Sequence, residues 1–187
     1  MSTERPLFIP VILGTSRQGR ASEHAARFML GELQKRENVE TVLVDVRELN
    51  FPINDEGIKD AAFSQLCERA DAYCIVAPEY NHGYPGSLKH ALDTNLKEYI
   101  HKAVGLCGVS AGGFGGTRVI EQLVQVVREL GMAVTFFDMN FSNVGKLFDD
   151  TGALQDDSYH RRADKFLKEL LWMARVLRYG RENVPAE

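Results

Sequence analysis

The run Ala72-Tyr73-Cys74-Ile75-Val76-Ala77 passes without a break into Pro78-Glu79-Tyr80-Asn81-His82-Gly83-Tyr84-Pro85-Gly86-Ser87-Leu88-Lys89. A continuous apolar segment of this length, bounded by Gly and Pro, reads as a strand covered on both faces. The polar loop behind it leads into a helical stretch near Gly86. A buried strand, an irregular loop and then a helix is how open α/β sheets place ligand sites at strand carboxyl ends. The loop combines backbone N–H groups, an aromatic face, an amide and a carboxylate. A flat heteroaromatic ligand with polar edges needs that combination.

Outward from this segment, strand-like and helix-like patterns alternate five times. Strands are predicted over Leu7 to Leu13, Thr41 to Val46, Asp71 to Ala77, Ala103 to Val109 and Ala133 to Phe137. Apolar residues at helical spacing mark the helices between them: Ala25, Phe28, Met29 and Leu33; Ala62, Leu66 and Ala70; Leu88 to Leu96; and Ile120, Leu123, Val124 and Val127, with Gly131 as a stop. A loop with Pro52 and Asn54-Asp55 follows the second strand, and a long loop crosses Asn143, Gly145 and Gly152. Ala163, Phe166, Leu167, Leu170, Leu171 and Ala174 form the last amphipathic stripe, and a loose polar tail is expected from about residue 180. Right-handed crossovers between such units give a doubly wound α/β sandwich of three layers. The expected sheet has five parallel strands in flavodoxin-like order 2-1-3-4-5, and residues 1–187 are expected to form one domain.

The net charge of −4 offers no electrostatic footprint for nucleic acid, and no apolar run is long enough for a bilayer. The first residues, Met1 to Pro6, lack the pattern of a secretory signal. Cys67, Cys74 and Cys107 form no C-x-x-C pair and read as small buried hydrophobes. A reduced, cytoplasmic, soluble protein is the plain expectation.

The first loop, Gly14-Thr15-Ser16-Arg17-Gln18-Gly19-Arg20-Ala21-Ser22, opens a helix. Unpaired amides and the helix dipole suit a phosphate there. Thr15, Ser16 and Ser22 add hydroxyls, while Arg17 and Arg20 add charge. The spacing Gly14 to Gly19 starts like a Walker A loop, but Arg20 and Ala21 stand where Lys and Ser/Thr are required. The G-x-G-x-x-G fingerprint is absent here and fails at Arg118 in the fourth-strand loop. A simple phosphate ester remains. A plainer reading makes Ser22 a helix cap and leaves the arginines solvated. In a 2-1-3-4-5 sheet this loop shares a crevice with Pro78–Gly83, and Ser110-Ala111-Gly112-Gly113-Phe114-Gly115-Gly116 closes the far side.

These three loops together resemble the NADPH-dependent FMN reductase family, the flavodoxin-like NAD(P)H oxidoreductases that include quinone, azo and chromate reductases. Gly14-Thr15-Ser16-Arg17 with Arg20 and Ser22 is similar to the family's FMN-phosphate loop, which often has Gly-Ser where this chain has Gly-Thr-Ser. Pro78-Glu79-Tyr80-Asn81-His82-Gly83 resembles its isoalloxazine loop, continued by Ser87-Leu88-Lys89-x-Ala91-Leu92-Asp93. Ser110-Ala111-Gly112-Gly113 resembles its third flavin contact.

The resemblance implies bound FMN, hydride transfer from NADPH or NADH to flavin N5, and onward transfer to a small acceptor in a ping-pong cycle. It implies no general acid or base supplied by the protein, and a homodimer or homotetramer. Thr15, Ser16, Arg17, Arg20 and Ser22 would hold the phosphate. Pro78 and the backbone of Glu79, Tyr80, Asn81, His82 and Gly83 would face the ring, with Tyr80 along it. Ser110, Gly112 and Gly113 would offset charge on the pyrimidine.

Glu79 is expected to turn away, and His82 is as readily a solvated loop residue as a substrate contact. His90 and Asp93 read as a surface or interface pair rather than a metal site. Ser110 lacks the G-x-S-x-G elbow of an esterase. Two alternatives stay open at this point: an electron carrier serving redox proteins, and a reductase for which FMN is a diffusing substrate.

Overall fold

The computed structural model describes residues 5–49 and 59–185; the expected loop at Pro52 and Asn54-Asp55 lies outside them. The first strand position is built from β1 (Leu7–Phe8) and β2 (Val11–Leu13), separated at Pro10, which has no N–H to contribute to a ladder. Helix α1 (Ser22–Gln34) follows, and the second position is divided likewise into β3 (Val39–Glu40) and β4 (Leu43–Asp45). Helix α2 (Ala61–Arg69), β5 (Ala72–Pro78), α3 (Gly86–Asp93), β6 (Ala103–Val109) and α4 (Thr117–Glu129) complete the middle of the chain. Then come β7 (Ala133–Val134), β8 (Met139–Phe141), the short α5 (Val144–Leu147) and the long α6 (Ser158–Asn183).

All strand pairs are parallel, in the order β4-β2-β5-β6-β7, with β8 also on β6. In chain order this is the flavodoxin-like 2-1-3-4-5 arrangement. Alternate strand residues feed two cores. Val11, Leu13, Cys74, Val76 and Cys107 face α1 and α6, while Ile12, Tyr73, Ile75 and Leu106 face α2, α3 and α4. The central strands β5 and β6 pair along their whole length, from Ala72↔Ala103 to Pro78↔Val109. All three cysteines are free and buried, two of them on these strands.

Four expectations change. The fifth strand does not run through to Phe137. It pairs at Val104↔Val134 and again at Cys107↔Met139, so three steps on β6 face five on its partner and two residues loop out. Phe136 stands in that bulge, 82% exposed. The buried stripe of α2 is Phe63 and Cys67, followed by Ala70, not Ala62 and Leu66. Asp60 caps that helix by accepting from Phe63 N at 2.8 Å, which sets the register and turns the largest side chain inward. Helix α3 starts at Gly86 behind Pro85 and stops at Asp93, short of Leu96. The tail expected to be loose from residue 180 is helical to Asn183, because Arg181 reaches the buried Asp71 carboxylate at 3.3 Å and His101 O at 2.6 Å. Arg5 pairs with the same carboxylate at 2.7 and 2.9 Å, and Phe8 N donates to it at 3.0 Å.

The loop before α4 crosses directly over β6. Gly116 takes a left-handed φ of +77°, and a Cβ there would lie 2.8 Å from Gly108 Cα. Combining strained backbone with overpacking, Gly116→Ala is expected to destabilise the protein by about 3 kcal/mol, read as a lower urea midpoint. An unchanged midpoint would show that the crossing relaxes freely.

Candidate functional site

The loops that follow β2, β5 and β6 meet at one end of the sheet and enclose a cavity of about 300 Å³, walled among others by Arg17, Ser22, Pro78, Tyr80, Ser110 and Val144. Gly14 N still donates to Val76 O, at 2.9 Å, before the chain leaves the ladder. Thr15 is buried, and its Oγ1 lies 2.8 Å from Tyr80 Oη, joining the first loop to the second. Arg17 is exposed, with its guanidinium 5.9 Å from the Tyr80 ring centroid.

Turn hydrogen bonds begin only at Glu23 N and His24 N. The amides of Gln18 to Ser22 therefore meet no backbone acceptor among the described residues. Ser22 is the first residue of α1 and not its cap, the flanking Ala21 making no side-chain cap bond. The Ser22 hydroxyl is buried at the cavity wall and has no hydrogen-bond partner among the described residues. A buried hydroxyl without a partner is costly, and the neighbouring free amides are donors as well. This wall is built to meet an acceptor-rich group.

Arg20 is a different case. Its side chain is 2% exposed and grips Asp45, itself 10% exposed, at the end of β4 through both carboxylate oxygens, one at 2.9 Å. It also donates to Thr15 O. Its two terminal nitrogens are thus committed to protein acceptors and hold the first loop onto the second strand, while its buried Nε has no hydrogen-bond partner among the described residues. Burial alone would raise the Asp45 carboxyl. The Arg20 hydrogen bonds, the Arg47 amide and both guanidinium charges outweigh that and hold it below the usual carboxylate range.

In the second loop, Tyr80 and Gly83 exchange both backbone hydrogen bonds at 2.9 Å around a two-residue turn. Asn81 and His82 occupy its tip with φ of +50° and +68°, the mark of a type I′ turn, and both are exposed. They stand off the cavity wall, as do Gly83, Gly112 and Gly113. Ser16 faces a neighbouring cavity instead. Glu79 does not turn away: one carboxylate oxygen accepts from Arg118 Nε at 2.6 Å, and the other is buried beside the cavity without a hydrogen-bond partner among the described residues. Ser110 Oγ donates to Gly112 O at 2.9 Å, and Val144 N donates to Ser110 O at 3.1 Å, bringing α5 to the wall. Val144, Asp45 and Arg118 were missed from sequence because only the folded chain brings them here. Lys89 pairs with Asp93, and no group of three or more potential metal-binding side chains occurs among the described residues.

The sequence pattern of the NADPH-dependent FMN reductase family matches residues 8–143, which contain all three loops. The chain belongs to this family. The FMN-dependent NADPH-azoreductase of Staphylococcus haemolyticus is 31% identical over 86% of this chain and 92% of its own length. A quinone reductase of Pseudomonas putida is 27% identical over 79% of this chain and 84% of its own. Among solved structures, the flavoenzyme NAD(P)H:(acceptor) oxidoreductase of Paracoccus denitrificans superposes with a TM-score of 0.74. It covers 89% of this chain and 98% of that one, at 19% identity, which speaks for the shared fold. FMN and a reduced nicotinamide are the cofactors of this family of oxidoreductases.

Asp45→Asn removes the partner of a buried guanidinium and is expected to cost about 3 kcal/mol in urea unfolding. The depressed carboxyl also sets the direction of the pH response. Its contribution is complete above its unfolded value of 3.8 and is lost as the pH falls through the lower folded value. The Asp45→Asn variant should lack that acid-dependent part. Identical acid limbs in the two proteins would refute this linkage.

Proposed function

We propose that this chain, as one domain, binds FMN at the three-loop cavity and oxidises NADPH or NADH at the expense of a small acceptor, such as a quinone or an azo compound. The observation that carries the reading is the buried Ser22 hydroxyl, without a hydrogen-bond partner among the described residues, beside the amides of residues 18–22, which meet no backbone acceptor among them. Donors fixed at a helix amino terminus suit a phosphate monoester. Arg17, exposed at the rim, supplies the mobile charge. FMN, when bound, supplies the two-electron chemistry: acceptance from a reduced nicotinamide and delivery to the acceptor.

The chain's own groups bind and tune. Tyr80, pinned through Thr15, offers an aromatic edge next to the phosphate wall. The backbone groups of Tyr80 and Gly83 bond to each other, and this turn holds Tyr80 in place at the wall. Glu79 is the one carboxylate among the described lining residues, and Arg118 neutralises it. Negative charge that develops in the cavity during reduction is therefore not opposed by a bare anion. Buried, free cysteines fit a reducing compartment such as the cytoplasm. Leu96, 57% exposed, and Ile100 lie beyond α3 as apolar surface suited to a homo-oligomer contact.

Purified protein should carry a flavin visible spectrum that NADPH bleaches under anaerobic conditions. Arg17→Ala combined with Ser22→Ala removes a charge-assisted contact and a buried hydroxyl donor, and is expected to weaken FMN binding about 100-fold with little loss of stability. Colourless protein that takes up no added FMN would end this reading.

A further inference from the structure

A second cavity, of about 470 Å³, lies on the other side of the first loop, walled by Ser16, Val46, Arg47, Leu49, Ser87 and His90 among others. Thr15 and Arg17 belong to the Tyr80 side of the loop, while Ser16 between them faces this second space. The cavity has an apolar side, Val46 and Leu49, and a polar side with one permanent cation, two hydroxyls and an imidazole.

The cation is Arg47, whose side chain is 44% exposed. Among the described residues it pairs with Asp45, Oδ2 lying 3.7 Å from Arg47 Nη2, while both oxygens of Asp45 also accept from Arg20. Arg47 is thus ion-paired with Asp45 only at long range, and among the described residues its guanidinium makes no hydrogen bond to a side chain, which leaves it at the cavity wall able to donate. A guanidinium beside two hydroxyls matches a dianionic phosphomonoester, and the apolar wall matches a nucleoside.

Building on the FMN-reductase reading, we propose that this cavity receives the adenosine 2′-phosphomonoester of NADPH, with Arg47 as the residue that distinguishes NADPH from NADH. Ser16 and Ser87 donate to the same phosphate.

The test is a calorimetric titration of the purified protein with adenosine 2′,5′-bisphosphate and, separately, with adenosine 5′-monophosphate. The bisphosphate is expected to bind about tenfold more tightly or better, as one charge-assisted contact would give. Arg47→Gln should abolish that difference, Arg47→Lys should keep part of it, and the ratio of KM for NADPH to KM for NADH should rise about tenfold in Arg47→Gln. Ser87→Asp places a repelling charge in the cavity and should produce the same loss of preference, which keeps the test open if one variant folds poorly. Equal binding of the two nucleotides by the unaltered protein, or an equal weakening of both in Arg47→Gln, would overturn the assignment. The two readings separate cleanly. Protein that holds FMN but shows no preference loses this inference alone, whereas protein that takes up no FMN yet keeps the Arg47-dependent preference loses the reductase reading alone.

Discussion

The buried pair between Arg20 and Asp45 joins the first loop to the end of the second strand, and much of the site's character follows from it. A guanidinium that is 2% exposed, with a carboxylate across two contacts and a carbonyl on a third side, has almost no freedom to swing toward a ligand. The desolvation cost of the two ions is offset by these contacts, and removing either partner would leave a buried charge. The pair therefore fixes where α1 begins relative to the sheet. It also decides how positive charge is shared out: Arg20 is neutralised internally, and Arg17 and Arg47 are left on opposite sides of the loop.

Charge is managed similarly in the second loop. Glu79 sits at the end of β5, and its backbone N–H still pairs with Val109 O, at 2.9 Å, so the carboxylate cannot leave the site's edge. Arg118, on the first turn of α4, meets it there and also lies 5.1 Å from the Phe114 ring centroid. The glycines at 108 and 116 allow α4 to start close enough to β6 for this contact. Packing between a strand and a helix start thus sets the electrostatics of a cavity that neither element lines alone.

The central strands were legible because Ala72 to Ala77 and Ala103 to Val109 are buried on both faces and carry no polar interruption. The doubly wound class was legible from the alternation of elements and the crossover rule, but the strand order itself is not visible in the sequence and comes from the pairing of the strands. What failed to show depends on contacts far apart in sequence. Arg20 in a polar loop reads as a free charge until Asp45 is seen beside it, and the polar residues after Tyr179 read as loose until Arg181 is seen on Asp71. The bulge at residues 135–138 left no trace because Phe136 and Phe137 extend the apolar run without lying in the ladder. The left-handed turn at Asn81-His82 was hidden for a related reason, since a Gly in the second position would have announced it.

Asp71 holds Arg5 near one terminus and Arg181 near the other on a single carboxylate, immediately before β5 begins. The two ends of the described chain are thereby moored side by side at the amino edge of the sheet, while the cavities open at its carboxyl edge. The contacts that hold Arg5 and Arg181 thus lie at the pole of the sheet opposite the cavities. A single carboxylate therefore ties the first strand position and the last helix into one mechanical unit, so that loosening α6 would be felt at the start of β1 and β5.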